Sequence, residues 1–188
     1  ELWVLKSVNV GPVSGNGIQP TGMAYVPSIN RFYVANIRSN NISVVDPMVN
    51  QVVACIPVGQ APDSVIYHEA GNRVFVGHRS IPLVTVIDPD TNEVVSQLWF
   101  DEAGRVSDLA LDPVLGYLLV AHDDIDQISV VQLSDLSVVG RLGGISSLGR
   151  IAYSSFLNNL LYVDPNQGTI TSGSNSLFIE GTTRGDTL

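Results

Sequence analysis

Short hydrophobic runs alternate with polar turns along most of this chain, and the alternation recurs at a regular spacing. Residues 32–47 contain an apolar run, a polar loop and a second β-branched run that closes on Asp46-Pro47. Residues 74–89 repeat this pattern 42 positions later, counted from Asp46 to Asp88, and residues 117–131 and 160–170 repeat it in weaker form. Apolar runs of this kind, bounded by turn residues, predict antiparallel β-strands.

The period predicts a β-propeller, because repeats of roughly 40 to 45 residues built from short strands are typical of four-stranded blades. An all-β sandwich with similar turns is the competing interpretation, but the offset persists through four units. We expect an outer blade strand and its connection at 1–16, followed by blades at 17–59, 60–104 and 105–146. A degenerate blade with a tail is expected at 147–188.

The strand predictions follow the repeat. They are 22–26, 31–36, 42–45 and 51–58 in the first unit, 64–67, 73–77, 84–87 and 93–100 in the second, 107–113 and 128–132 in the third, and 149–153 and 159–163 in the fourth. Residues 2–10 are predicted to be an outer strand. It would pair with residues 168–171 in a closed small ring, or with a strand outside this chain while residues 177–179 complete the fourth unit. The valines at repeat-equivalent strand positions are predicted to be buried between sheets: Val34, Val44, Val76, Val86, Val120 and Val130.

Composition narrows the possibilities. Charged residues make up 14% of the 188 residues and hydrophobic ones 45%, as expected for strands covered on both faces. No apolar run approaches the roughly 18 residues of a membrane-spanning helix, so we expect no membrane span. The net charge of −9 repels phosphate backbones and argues against a nucleic-acid partner. Acidity with a single lysine favours an extracytoplasmic setting, whether secreted, periplasmic or at the cell surface.

The only cysteine, Cys55, excludes an internal disulfide and any Cys-x-x-Cys motif within the chain. Its apolar neighbours predict a buried strand thiol.

The residues Tyr33-Val34-Ala35-Asn36, followed by 39–46 and 50–53, closely resemble the YVTN family of β-propeller repeats. Residues 75–78, 84–88 and 92–95 form a second match. The resemblance is strong over 17–145 and loose over 147–170, and the chain departs from it in having His78 and His122 in place of Asn. Family members usually have seven blades, so the resemblance implies that this chain is part of a larger propeller. The alternatives are a closed four-bladed ring and a ring completed by a second chain.

The resemblance also implies that loops after the second strand of each blade gather on one face around a funnel. Asn36, His78, His122 and Asp164 occupy corresponding positions there, and Asp123 belongs to the adjacent acidic loop 123–126. Imidazole, amide and carboxylate groups could bind a metal or a polar ligand. The favoured interpretation is that each side chain caps its own loop. Three carboxylates from one loop also fall short of the six to eight oxygens that calcium requires.

No nucleophile elbow and no glycine-rich phosphate loop is present, so we assign no catalytic residue, no metal and no cofactor. The leading hypothesis is a non-catalytic scaffold for protein or surface-polymer interaction. The rival is a propeller enzyme or redox subunit, since lactonases and quinoprotein dehydrogenases resemble this chain at the repeat level. Its cofactor would then be held by other blades or by a partner chain.

Overall fold

The computed structural model describes residues 7–10, 19–100, 104–145, 147–157 and 159–173. These residues form β-strands and one short 3-10 turn at Pro27–Ile29, with no α-helix among them. No helix in the described residues is long and apolar enough to cross a membrane. The strands are β1 Pro20–Val26, β2 Arg31–Asn36, β3 Asn41–Asp46, β4 Gln51–Pro57, β5 Pro62–His68, β6 Arg73–His78, β7 Leu83–Asp88, β8 Glu93–Trp99, β9 Asp108–Asp112, β10 Tyr117–His122, β11 Gln127–Gln132, β12 Val138–Leu142, β13 Ile151–Ser154, β14 Asn159–Asp164 and β15 Thr169–Gly173.

The strands form separate antiparallel sheets in which each strand pairs with its neighbour in sequence. Sheet 1 contains β1–β4, sheet 2 contains β5–β8, sheet 3 contains β9–β12, and sheet 4 contains β13–β15 within the described residues. The predicted four-strand units are therefore confirmed for the first three repeats, with boundaries within two residues for most strands. The chain divides into two compact units, Glu1–Ser107 and Asp108–Leu188.

The outer hairpins use aspartate and left-handed residues to turn the chain. In sheet 1 the Asp46 carboxylate accepts the Met48 N–H at 2.8 Å, and Asn50 has φ 55°. In sheet 2 the Asp88 carboxylate accepts the Asp90 N–H at 2.9 Å, and Asn92 has φ 60°. Asparagine tolerates this left-handed conformation better than most residues, so these hairpins are built by local chemistry.

A β-bulge recurs between the third and fourth strands of sheets 1, 2 and 3. The register shifts at Val44/Val45, Val86/Ile87 and Val130/Val131. An extra residue in one strand increases the local twist. The repeat thus extends to a backbone irregularity that the hydrophobic pattern did not predict.

The core of the first unit lies between sheets 1 and 2. Tyr33, Ala35, Ile42 and Val44 of sheet 1 pack with buried residues of sheet 2, which are Val74, Val76 and Ile87. The Tyr33 hydroxyl donates to Asn92 Oδ1 at 2.7 Å and lies 3.2 Å from the Pro89 carbonyl. Burial, with the carboxylates of Asp88 and Asp90 adding to it, raises the pKa of Tyr33 to about 12.

The core of the second unit lies between sheets 3 and 4. Ala121, Ile128 and Val130 of sheet 3 pack with Leu148 and Ile151. The same strand positions therefore supply the core in both units.

Three of the sequence predictions need correction. Val34 is half-buried, unlike the five other predicted valines, because it lies on the side of sheet 1 away from sheet 2. Cys55 is exposed, because it lies on β4, the outer strand of its sheet. Residues 7–10 form no strand. The predicted strand at 168–171 is observed as β15 Thr169–Gly173, which pairs with β14. The predictions for residues 2–6 and 177–179 lie outside the described residues.

Candidate functional site

The four candidate ligand-binding residues at loop ends are the last residues of the second strands of their sheets. Asn36 ends β2, His78 ends β6, His122 ends β10 and Asp164 ends β14. All four side chains are buried. The predicted equivalence of these positions is confirmed within each sheet, whereas a role in ligand binding stays a prediction.

Three of these side chains contact a hydroxyl group seven residues later, on the third strand of the same sheet. Asn36 Nδ2 donates to Ser43 Oγ at 2.9 Å. His78 Nε2 lies 2.9 Å from Thr85 Oγ1, and His122 Nε2 lies 3.0 Å from Ser129 Oγ. The hydroxyl at this spacing is a repeat feature that sequence reasoning missed, although aligning the units places all three hydroxyl residues in one column.

The hydrogen-bond partners and the burial of His78 together indicate its tautomer and its charge. Nδ1 lies 3.0 Å from the Gln60 carbonyl, which only accepts, so Nδ1 carries the proton and Nε2 accepts from the Thr85 hydroxyl. Burial lowers the pKa of His78, although backbone hydrogen bonds to Gln60 and Gly59 oppose the shift. The imidazole is therefore neutral near pH 7, and both of its nitrogens are used within the protein.

Asp164 caps its own loop. One carboxylate oxygen accepts the backbone N–H groups of Asn166 and Gln167, both at 3.0 Å. This is the turn-closing contact that aspartate commonly makes. The interpretation as a loop cap is thus confirmed for Asp164.

The acidic loop after His122 also has a structural contact. Asp126 Oδ1 accepts the Leu148 N–H at 2.7 Å and connects this loop to the segment before β13. Asp123 is half-buried and Asp124 is exposed. No group of three or more His, Cys, Asp or Glu side chains that could hold a metal ion occurs in the part of the chain that the structure describes.

The candidate residues of the first unit lie at the same end of their two sheets. Asn36 pairs with Pro20, and His78 pairs with Pro62. The hydroxyl group of Thr21, which follows Pro20, donates a hydrogen bond to the Pro62 carbonyl oxygen at 3.4 Å. The strand ends that carry Asn36 and His78 are therefore neighbours.

The second unit has a similar arrangement. Asp108 pairs with Ala121, next to His122, and its carboxylate accepts the Ile151 N–H at 3.0 Å. The adjacent Arg150 carbonyl accepts the Val163 N–H at 2.9 Å, next to Asp164. Within each unit, the two candidate residues therefore lie at one end of adjacent sheets.

Outer strands expose apolar side chains in the first unit. Trp99 of β8 is 54% exposed and Val53 of β4 is 51% exposed, and Val95 of β8 is also exposed. Both strands are at the edge of their sheet, where one row of backbone groups lacks a strand partner within the sheet.

Solved structures similar to this chain include a β-propeller domain. Hydrazine synthase from Kuenenia stuttgartiensis matches with a TM-score of 0.67 and 20% identity, over 82% of this chain and 53% of that chain. The Cps50 (Swd1) β-propeller domain of Myceliophteria thermophila matches with a TM-score of 0.71 and 11% identity, over 84% of this chain and 54% of that chain.

The sheets and these similarities together define the class of protein: the chain has an all-β fold that is part of a β-propeller. It spans about half the length of each of the two solved structures. No protein-family model matches the chain, and no curated protein matches it. At these identities the similarity defines the fold, and fold alone does not define function.

Proposed function

We propose that this chain is a non-catalytic interaction module that contributes blades to an extracytoplasmic β-propeller and binds a protein or a surface polymer. The observation that carries the proposal is that the side chains of the candidate site form hydrogen bonds within their own sheets and loops. Asn36, His78 and His122 bond to the hydroxyl residues of their own sheets, and Asp164 closes its own turn. These contacts build the blades.

The sequence and the outer strands support the same proposal. The repeats resemble the YVTN family at Tyr33–Asn36, and the acidic composition with a single lysine motivates the extracytoplasmic assignment. Exposed Trp99, with Val95 on the same strand, offers an apolar contact to a partner. Tryptophan is enriched among the residues that dominate binding energy at protein interfaces.

The proposal is tested by probing the purified chain against arrays of peptides and of surface polysaccharides. We expect at least one class of probe to bind, and Trp99→Ala and Val95→Ser each to weaken that binding about tenfold. Phe156→Ser is the matched control, because Phe156 is exposed but lies on a loop of the other compact unit.

The rival function has a distinct signature. A stoichiometric metal, a visible chromophore or turnover of a small substrate by the native protein would support an enzyme or redox subunit. Binding that is unaffected by Trp99→Ala and Val95→Ser but lost in His78→Asn would indicate that the binding site lies at the strand ends instead.

A further inference from the structure

One side of sheet 1 presents apolar residues that sheet 2 does not cover. We call this side the free face; it contains Met23, Tyr25, Phe32 and Val34. Met23 pairs with Val34 across the sheet, and Tyr25 pairs with Phe32. Met23 is 68% exposed and Tyr25 is 44% exposed, while Phe32 and Val34 are half-buried. Val10 contacts this side at Ser43, whose hydroxyl donates to the Val10 carbonyl at 2.6 Å.

The corresponding side of sheet 2 is already an interface. Val65 pairs with Val76, and Tyr67 pairs with Val74, in the same register as the two pairs of the free face. These four residues pack against sheet 1. The free face therefore has the strand positions and the apolar character of a surface that, one repeat later, binds a neighbouring sheet.

The polar contacts that support the two surfaces are also repeated. Tyr25 donates to Asn30 Oδ1 at 2.9 Å, and Tyr67 donates to Asn72 Oδ1 at 3.0 Å. The Arg31–Asp46 ion pair at 3.0 Å corresponds to the pair formed by Arg73 and Asp88 at 3.1 Å. The free face thus has the local geometry of the surface on sheet 2.

The hairpin beside each surface supplies hydrogen-bond acceptors. In sheet 2, Asn92 Oδ1 and the Pro89 carbonyl receive the hydroxyl of Tyr33 from sheet 1. The corresponding residues in sheet 1 are Asn50 and Pro47. Asn50 has nearly the same left-handed conformation as Asn92, with φ 55° against 60°, and both are half-buried. Asn50 is therefore placed as the equivalent acceptor.

We propose that the free face binds another sheet of the same repeat type, one with a tyrosine at the position of Tyr33, whose hydroxyl donates to Asn50. The corresponding residues of sheets 2, 3 and 4 are Phe75, Leu119 and Leu161, which have no hydroxyl group. Tyr33 itself is engaged with sheet 2. The occupant is accordingly a repeat from outside these 188 residues rather than a second copy of this chain.

The test adds such a repeat to the whole protein. A copy of residues 19–60, which contains the required tyrosine, is joined ahead of residue 1 of the full chain. Asn50→Gly then removes the proposed acceptor, and Asn92→Gly is the matched control that removes the observed one. Glycine accepts the left-handed conformation of both asparagines, so the two variants differ mainly in which hydrogen bond they lose.

We expect Asn92→Gly to raise the unfolding equilibrium constant in both the original and the extended chain. Asn50→Gly should raise it about three- to tenfold in the extended chain and much less in the original one, as the loss of one net hydrogen bond predicts. The effect of Asn50→Gly should disappear when the added copy carries Tyr33→Phe. Met23 should also be oxidised more slowly in the extended chain.

Three results would overturn the proposal. The first is an equal effect of Asn50→Gly with and without the added repeat. The second is an extended chain that fails to fold, or that leaves Met23 as reactive as before. The third is a dimer of the original chain that Val34→Asp dissociates in sedimentation, since the occupant would then be a second copy.

Discussion

Tyr33 connects two sheets through a single hydroxyl group. Its ring is buried in the core of the first unit, and its hydroxyl donates to Asn92 Oδ1 at 2.7 Å. A buried phenol with a good acceptor is stable only in its protonated form, because ionisation would place a negative charge in the core near Asp88 and Asp90. The stability of the interface between sheets 1 and 2 therefore varies with the protonation of this side chain.

This dependence predicts an alkaline loss of stability. Because the folded-state pKa of Tyr33 is about 12, against 10.0 for an unperturbed tyrosine, its contribution to stability is complete below pH 10 and is lost as the pH rises through 12. The shift corresponds to about 2 to 3 kcal/mol of unfolding free energy. Urea unfolding of wild type and of Tyr33→Phe between pH 10 and pH 12 measures this contribution. The variant should have a lower free energy of unfolding at neutral pH, and that free energy should decrease less steeply as the pH rises. Parallel pH profiles of the two proteins would contradict the prediction.

The buried imidazole of His78 is expected to make the protein less stable at acidic pH. Since burial lowers the pKa of His78 below its usual 6.5, the unfolded chain binds a proton that the folded chain excludes, and stability falls as the pH drops below 6.5. His78→Asn should reduce this loss, because Asn36 makes the corresponding bond to Ser43. Unfolding free energies at pH 7.5 and 5.5 measure the difference.

His68 provides the control for this experiment. Burial also lowers the pKa of His68. The change in unfolding free energy with pH that His68→Asn removes is therefore the part that arises outside the candidate site. If His78→Asn shows the full wild-type loss between the two pH values, the buried neutral state assigned to His78 is wrong.

At the scale of the sheets, the same sequence position has different environments in successive repeats. Val34, Val76 and Val120 lie at equivalent positions of the second strands, but Val34 is half-buried while the other two are fully buried. The difference arises from what covers each sheet rather than from the residue itself.

This difference makes Val76 and Val34 a matched pair for mutation. Val76→Ala should reduce the unfolding free energy by about 1 to 3 kcal/mol, since it removes buried methyl groups and leaves a cavity. Val34→Ala should cost less than about 1 kcal/mol, because a half-exposed side chain loses less transfer free energy. Denaturant midpoints of the two variants give the comparison. An unchanged midpoint for Val76→Ala would show that the strand assignment is wrong.

At the scale of the whole molecule, charge is the most informative property. The chain carries 18 carboxylates against 9 lysines and arginines. We expect no binding to duplex DNA even at about 50 mM salt, where contacts with phosphate are strongest. Fluorescence anisotropy with a labelled duplex tests this expectation, and binding that weakens linearly with the logarithm of salt concentration would refute it.

The length of the molecule relative to its structural neighbours has a further consequence. The chain spans about half the length of each of the two solved structures described above, and its first sheet has an exposed apolar side. Both observations agree with its being part of a propeller, and the free face is the place where the next sheet is proposed to bind.

Much of the fold was predictable from the sequence, because its determinants are local. Alternating apolar runs define strands such as β2 and β6, and aspartate and asparagine at 46–50 and 88–92 define the hairpins. The repeat carried these assignments from one unit to the next. It also placed Asn36, His78, His122 and Asp164 at equivalent strand ends, since equivalent positions in a repeat occupy equivalent positions in its sheets.

The contacts of those residues were decided by the tertiary structure. The bond between His78 and the Gln60 carbonyl, the bond between Tyr33 and Asn92, and the exposure of Cys55 depend on residues that are distant in sequence or on which strand is at the edge. The alternation of apolar and polar residues indicates that one side of a strand is apolar, but it does not indicate which surface covers that side. Val34 and Val76 have the same local sequence signal, and only the packing of sheet 1 against sheet 2 distinguishes them.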